Sequence, residues 1–122
     1  MHVGIGGDHA VYGDRTPAIY FYPGGTRMHI PSAINGNSNH VMSTPAIPLN
    51  EWSRVEVSQF QLPDKSYQMT VMVGDTIVDQ VTNTDPREFI DVKVFTSDNY
   101  YETAKARIDN LKILTFPDSY HH

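Results

Sequence analysis

A chain of 122 residues is the size of one domain, with room for a single core. Its composition is 39% hydrophobic, 11% aromatic and only 19% charged, which fits a folding globular chain and excludes a disordered tail. The formal charge of -5, with Lys and Arg scattered, leaves no basic stripe to neutralise a phosphate backbone, so nucleic acid is not an expected partner.

The chain has no cysteine, which excludes a disulfide framework and thiolate zinc sites and leaves the redox compartment open. No apolar run reaches the roughly twenty residues that cross a bilayer, and no basic segment followed by an apolar signal core opens the chain, so no membrane insertion is expected. Residues 1–118 read as one domain, and residues 119–122, ending in His121-His122, as a C-terminal tail or the remnant of a tag.

In chain order, the first apolar run is His2-Val3-Gly4-Ile5. Gly6-Gly7-Asp8-His9-Ala10-Val11-Tyr12-Gly13-Asp14-Arg15-Thr16-Pro17 follows, with three glycines to make turns. Here Asp8 and Asp14, with His9, are the residues that would hold a divalent cation, since hard oxygens on a Gly-rich loop suit calcium. The spacing is not that of an EF-hand. The competing reading, which we favour, has each Asp making a local turn with its own backbone.

Ala18-Ile19-Tyr20-Phe21-Tyr22 is the next strand, closed by the turn residues Pro23-Gly24-Gly25, and a strand follows around Met28-His29-Ile30. Asn35-Gly36-Asn37-Ser38-Asn39 is rich in residues that favour turns over ladders, and a loop is expected there. Trp52 to Gln59 alternates strictly, with Val55 and Val57 on one face and Arg54, Glu56 and Ser58 on the other. Trp52 is expected to plug the core or its rim.

Tyr67 to Val73, then Gly74-Asp75, then Thr76 to Val81 carries the two-residue signal of a primed-turn hairpin. Phe89 to Phe95 and Arg107 to Phe116 supply two more strands, the second with a shift of parity near Asp109-Asn110 that points to a bulge. Most prolines fall in connections, where a missing donor harms no ladder. About eight short strands with no crossover helix predict an all-β fold, an antiparallel β-sandwich of jelly-roll type.

The succession of Trp52-Ser53-Arg54-Val55-Glu56-Val57, Val71-Met72-Val73-Gly74-Asp75, Phe89-Ile90-Asp91-Val92-Lys93-Val94-Phe95 and Ile108-Asp109-Asn110-Leu111-Lys112-Ile113 resembles the concanavalin A-like, laminin G-like jelly roll. Tyr12-Gly13-Asp14-Arg15-Thr16-Pro17 with Ser32-Ala33-Ile34-Asn35-Gly36-Asn37 is similar to invertebrate extracellular domains of this kind. The resemblance implies an extracellular setting and imports no activity. It also implies strands before the first one here, so that an inner strand would become an exposed edge, open to pairing with another copy.

Two loops carry chemistry suited to sugars. Asn35, Asn37 and Asn39 offer amides that donate and accept at once, as sugar hydroxyls require. Tyr100 and Tyr101 offer rings for the apolar face of a sugar, beside Asp98 and Asn99 for its hydroxyls. Catalytic patterns are absent from the sequence: it has no E-x-D-x-x-E carboxylates, no G-x-S-x-G elbow, no cysteine nucleophile and no H-E-x-x-H. The expected function is therefore non-catalytic recognition of a glycan, with calcium as a candidate cofactor. The alternative is a structural or matrix domain that binds an extracellular protein, or a second copy of itself, through an exposed edge.

Overall fold

The structure, a computed structural model, describes residues 1–4, 11–13, 15–22, 24–86, 93–95, 108 and 111–112. These form an all-β arrangement with no helix among the described residues. The strands are β1 (His2–Gly4), β2 (Tyr20–Phe21), β3 (Met28–Ile34), β4 (Asn37–Ser43), β5 (Val55–Gln61), β6 (Tyr67–Val73), β7 (Thr76–Asn83) and β8 (Lys93–Phe95). Two three-stranded antiparallel sheets, β2-β3-β4 and β5-β6-β7, stand beside a small β1-β8 ladder.

The two larger sheets share one core, as the layers of a sandwich do. Ile30, Ile34 and Met42 come from the first sheet, Met69 and Val71 from the second, and Ile19, Val57, Val78 and Val81 close around them. Alternation explains the choice of residues. On β6, Met69 and Val71 are buried and their partners Val57 on β5 and Val81 on β7 lie on the same face, while Glu56, Ser58, Gln68 and Thr70 lie on the other.

The Gly74-Asp75 hairpin is as expected, with Gly74 taking the positive φ of 59° that suits the first position of a type II′ turn. A bulge follows at once. Met72 faces Ile77 and Val71 faces Asp79, so Val78 is the extra residue and joins the core.

The Asn35–Asn39 segment differs from the expected loop. Asn35 and Gly36 alone make the turn, with φ of 53° and 77°, the two positive values of a type I′ hairpin, and Asn37, Ser38 and Asn39 already belong to β4. Between the pairs Ser32 with His40 and Ile34 with Asn37, β4 carries one residue more than β3, a bulge that absorbs the surplus asparagine side chains.

Pro31 lies inside β3 rather than in a connection, and its carbonyl accepts from Ala18 N at 2.9 Å. Its edge therefore faces the β2 side, where β2 is only two residues long and the missing donor falls, while Pro31 keeps its pairing with Val41 on β4. On that same side Val3 exchanges backbone hydrogen bonds with Thr16 and Pro17, which ties β1 to the segment entering β2.

Trp52 is not a core plug: it is 68% exposed, and the β5 ladder begins only at Val55. Of the expected strand from Arg107 to Phe116, Ile108, Leu111 and Lys112 are described, and they are exposed and outside any strand; the rest of it, and residues 89–92, lie outside the described residues.

Candidate functional site

Asn35 is spent on the fold. Its Nδ2 donates to Thr82 O at 2.9 Å, and its Oδ1 accepts from Thr84 N at 2.6 Å and Thr84 Oγ1 at 3.0 Å. Its own N–H donates to Oδ1 of the buried Asn83 at 3.1 Å, and Asn83 also accepts from Asp85 N and donates to Gln59 Oε1. The β3–β4 turn is thereby bolted across the sandwich to the end of β7 and the edge of β5.

Asn37 Oδ1 accepts from Asn39 N at 2.9 Å within the bulge, and Asn39 Oδ1 accepts from Arg15 Nη1 at 3.4 Å. Of the three described glycan candidates, Asn39 is thus drawn toward a neighbouring aromatic surface. Asp98, Asn99, Tyr100 and Tyr101, and the expected metal ligands Asp8 and Asp14, lie outside the described residues. Among the described residues no group of three or more His, Asp or Glu could hold a metal ion.

That neighbouring surface is the outer face of β2-β3-β4. Ile19 packs against the shared core, so alternation puts Tyr20 on the opposite face of β2, where the register sets it opposite His29; on that face Ala18 and Pro31 are fully buried. The His29 ring lies 5.3 Å from that of Tyr20 and 4.7 Å from that of Tyr22, centroid to centroid, with interplanar angles of 46° and 30°. All three residues are half-buried.

A guanidinium stacks at each end of this row. Arg15, only 3% exposed, lies 5.1 Å from the Tyr20 ring centroid, and Arg27, exposed, lies 5.0 Å from that of Tyr22. Hydrogen-bonding groups line the rim: the Tyr22 hydroxyl and Ser43 Oγ share a hydrogen bond of 3.0 Å, Asn39 holds Arg15, and Arg27 Nε donates to Thr44 O at 3.4 Å. The sequence signal for this row was the alternation of Ala18 to Tyr22 itself, which sets aromatic rings on the side away from the core.

Burial, and then the positive charge of Arg15, lower the His29 pKa below its ordinary value of 6.5. The imidazole is therefore neutral at neutral pH and able to donate one hydrogen bond and accept another. A folded pKa below the unfolded one means that the unfolded chain takes up the proton first as pH falls. The stability contributed is full above 6.5 and is lost on acidification from 6.5 down through the lowered folded value. Chemical denaturation between about pH 7.5 and about pH 5 should show a shallower loss of stability for His29→Gln than for wild type. Equal slopes would show that His29 does not carry the shift.

Comparison of the chain with protein-family models, with curated proteins and with solved structures finds no match in any of the three.

Proposed function

We propose that the chain is a non-catalytic, extracellular recognition domain that binds carbohydrate on the outer face of β2-β3-β4. One observation carries this reading: Tyr20, His29 and Tyr22 form a row of half-buried rings on a sheet face, with donors and acceptors along its rim. Aromatic faces receive the C–H side of a sugar ring, and hydroxyl, amide and guanidinium groups at the rim receive its hydroxyls. Tyr20 and His29 lie on paired strands, and Tyr22, one residue beyond β2, donates its N–H to Arg27 O at 2.9 Å, so the rings are held in place before a ligand arrives.

The concanavalin A-like jelly roll belongs to this proposal as the fold type, supported by the sandwich-like pair of sheets and by the segments from Trp52 onward that resemble that superfamily. Calcium has no donor set among the described residues, and its place in the proposal rests on Asp8 and Asp14 alone. The ring row needs no metal to make its contacts.

A glycan array probed with the folded chain, in calcium and again in chelator, tests the reading. Specific signal that survives chelation is expected; a blank array refutes carbohydrate binding, and loss of signal in chelator moves the site to a metal loop. Replacing both rings, Tyr20→Ala with Tyr22→Ala, should weaken the saccharide selected by the array by about tenfold or more, since each aromatic contact is worth about 1 kcal/mol beyond burial. Calorimetric titration of the double variant measures this, and an unchanged affinity would remove the row from the site.

A second reading rests on a different observation. Among the described residues β5 is a terminal strand of its sheet, with exposed Phe60 in it and exposed Trp52 before it. Long edges with exposed aromatics pair with other chains. Here the partner would be a second copy or a matrix protein, and light scattering at high concentration distinguishes this from the glycan reading: a monomer contradicts self-association.

A further inference from the structure

We propose that the saccharide taken by this face is acidic, bearing a carboxylate or sulfate group that Arg27 meets beside the Tyr22 ring. The inference rests on the reading of the ring row as a saccharide site and adds the charge class of the ligand.

Arg27 sits at the open end of the row. Its guanidinium lies 5.0 Å from the Tyr22 ring centroid, and its Nε is engaged with Thr44 O at 3.4 Å. That ring contact and that bond hold the guanidinium beside the Tyr22 ring, and a planar guanidinium fork matches the paired oxygens of a carboxylate or sulfate. Among the described residues Arg27 forms no ion pair; Arg54, on the other sheet, has Glu56 at 3.3 Å.

The chain as a whole carries a formal charge of -5, with Lys and Arg numbering 9 against 14 acids. Against that background two arginines flank one short row of rings. Asp79 reaches the same margin of β4, where Oδ2 accepts from Ser43 N at 3.2 Å and Oδ1 from Gln80 N at 2.8 Å, and it forms no ion pair with Arg27. A stacked cation on the rim of a sugar-sized aromatic row, held and not neutralised by a neighbouring described side chain, gives an anion an attractive rather than a solvated contact.

The test compares matched saccharides on one array, neutral, uronate-bearing and sulfated, with wild type and Arg27→Gln, at low and moderate salt. Expected are a preference of wild type for the acidic members, weakening with salt, and a loss of that preference by about tenfold in Arg27→Gln, whose acidic binding falls more than its neutral binding. Whether uronate or sulfate leads identifies the anionic group. Neutral and acidic members bound equally, or an acidic preference untouched by Arg27→Gln, would overturn the charge assignment while leaving the ring row as a saccharide site. A wild-type chain that binds none of them would overturn the site and this inference together. Arg27 is exposed, so melting of the variant should match wild type, and Arg27→Lys, which keeps charge without the fork, should fall between the two.

Discussion

Asn83→Ala should lower stability by about 3 kcal/mol, and the melting temperature by roughly 10 °C, as measured by denaturant and thermal unfolding. The side chain is 2% exposed and ties three segments together: Oδ1 accepts from Asn35 N in the β3–β4 turn and from Asp85 N after β7, while Nδ2 donates to Gln59 Oε1 on β5. Truncation leaves two backbone donors and an amide oxygen without the partner that repaid their removal from water. Asn35→Ala should cost less, because its side chain is exposed and water can replace part of what it holds. The two losses should add to less than their sum, since both residues fasten the same turn to the same strand. An Asn83→Ala chain as stable as wild type would show that the bolt carries no net stability.

Ile30→Ala should cost about 2–5 kcal/mol. Ile30 is fully buried at the centre of the cluster formed with Ile34, Met42, Met69 and Val71, so the deletion loses the transfer energy of the methylenes and leaves a cavity between two sheets that cannot collapse freely. For a chain of this size that is a large part of the about 5–15 kcal/mol that holds a domain folded. Ile30→Val should cost only about 1 kcal/mol in the same denaturant titration. A small effect of Ile30→Ala would mean that the two sheets do not share a core through this residue.

The β6–β7 hairpin was legible in the sequence because alternation and turn chemistry agree there: Met69 and Val71 alternate with Gln68 and Thr70, and Gly74 occupies the position that needs a positive φ. β4 was illegible for the opposite reason. Asn37, Ser38 and Asn39 prefer turns, and the strand owes its existence to pairing with β3 and to Met42 in the core rather than to propensity. The Asn35-Gly36 pair carried the signal that would have found it, being the dipeptide of a type I′ hairpin. Trp52 departs from its expected place because a tryptophan before an alternating run reads as a core or rim residue, whereas the ladder starts three residues later and leaves it at the surface.

Polar loops are where side chains capable of hydrogen bonding are plentiful, and sequence pattern alone points to them. In Asn35 that capability is consumed by the fold, a fact carried by contacts 47 to 49 residues away in sequence and invisible to local pattern. The ring row was half legible: alternation sends Tyr20 and Tyr22 to one side, but their meeting with His29 depends on the β2–β3 register and with Arg27 on the bend between those strands.

The most direct test of the ring row as the saccharide site is an NMR titration of the folded chain with the saccharide that gives the strongest array signal, following the ring protons of Tyr20, Tyr22 and His29. Shifts concentrated on those three rings, with Arg27 beside them, are the predicted result. Shifts confined to the Asn35–Asn39 segment, to β5 or to residues 98–101, or a chain for which the array yields no saccharide at all, would contradict it.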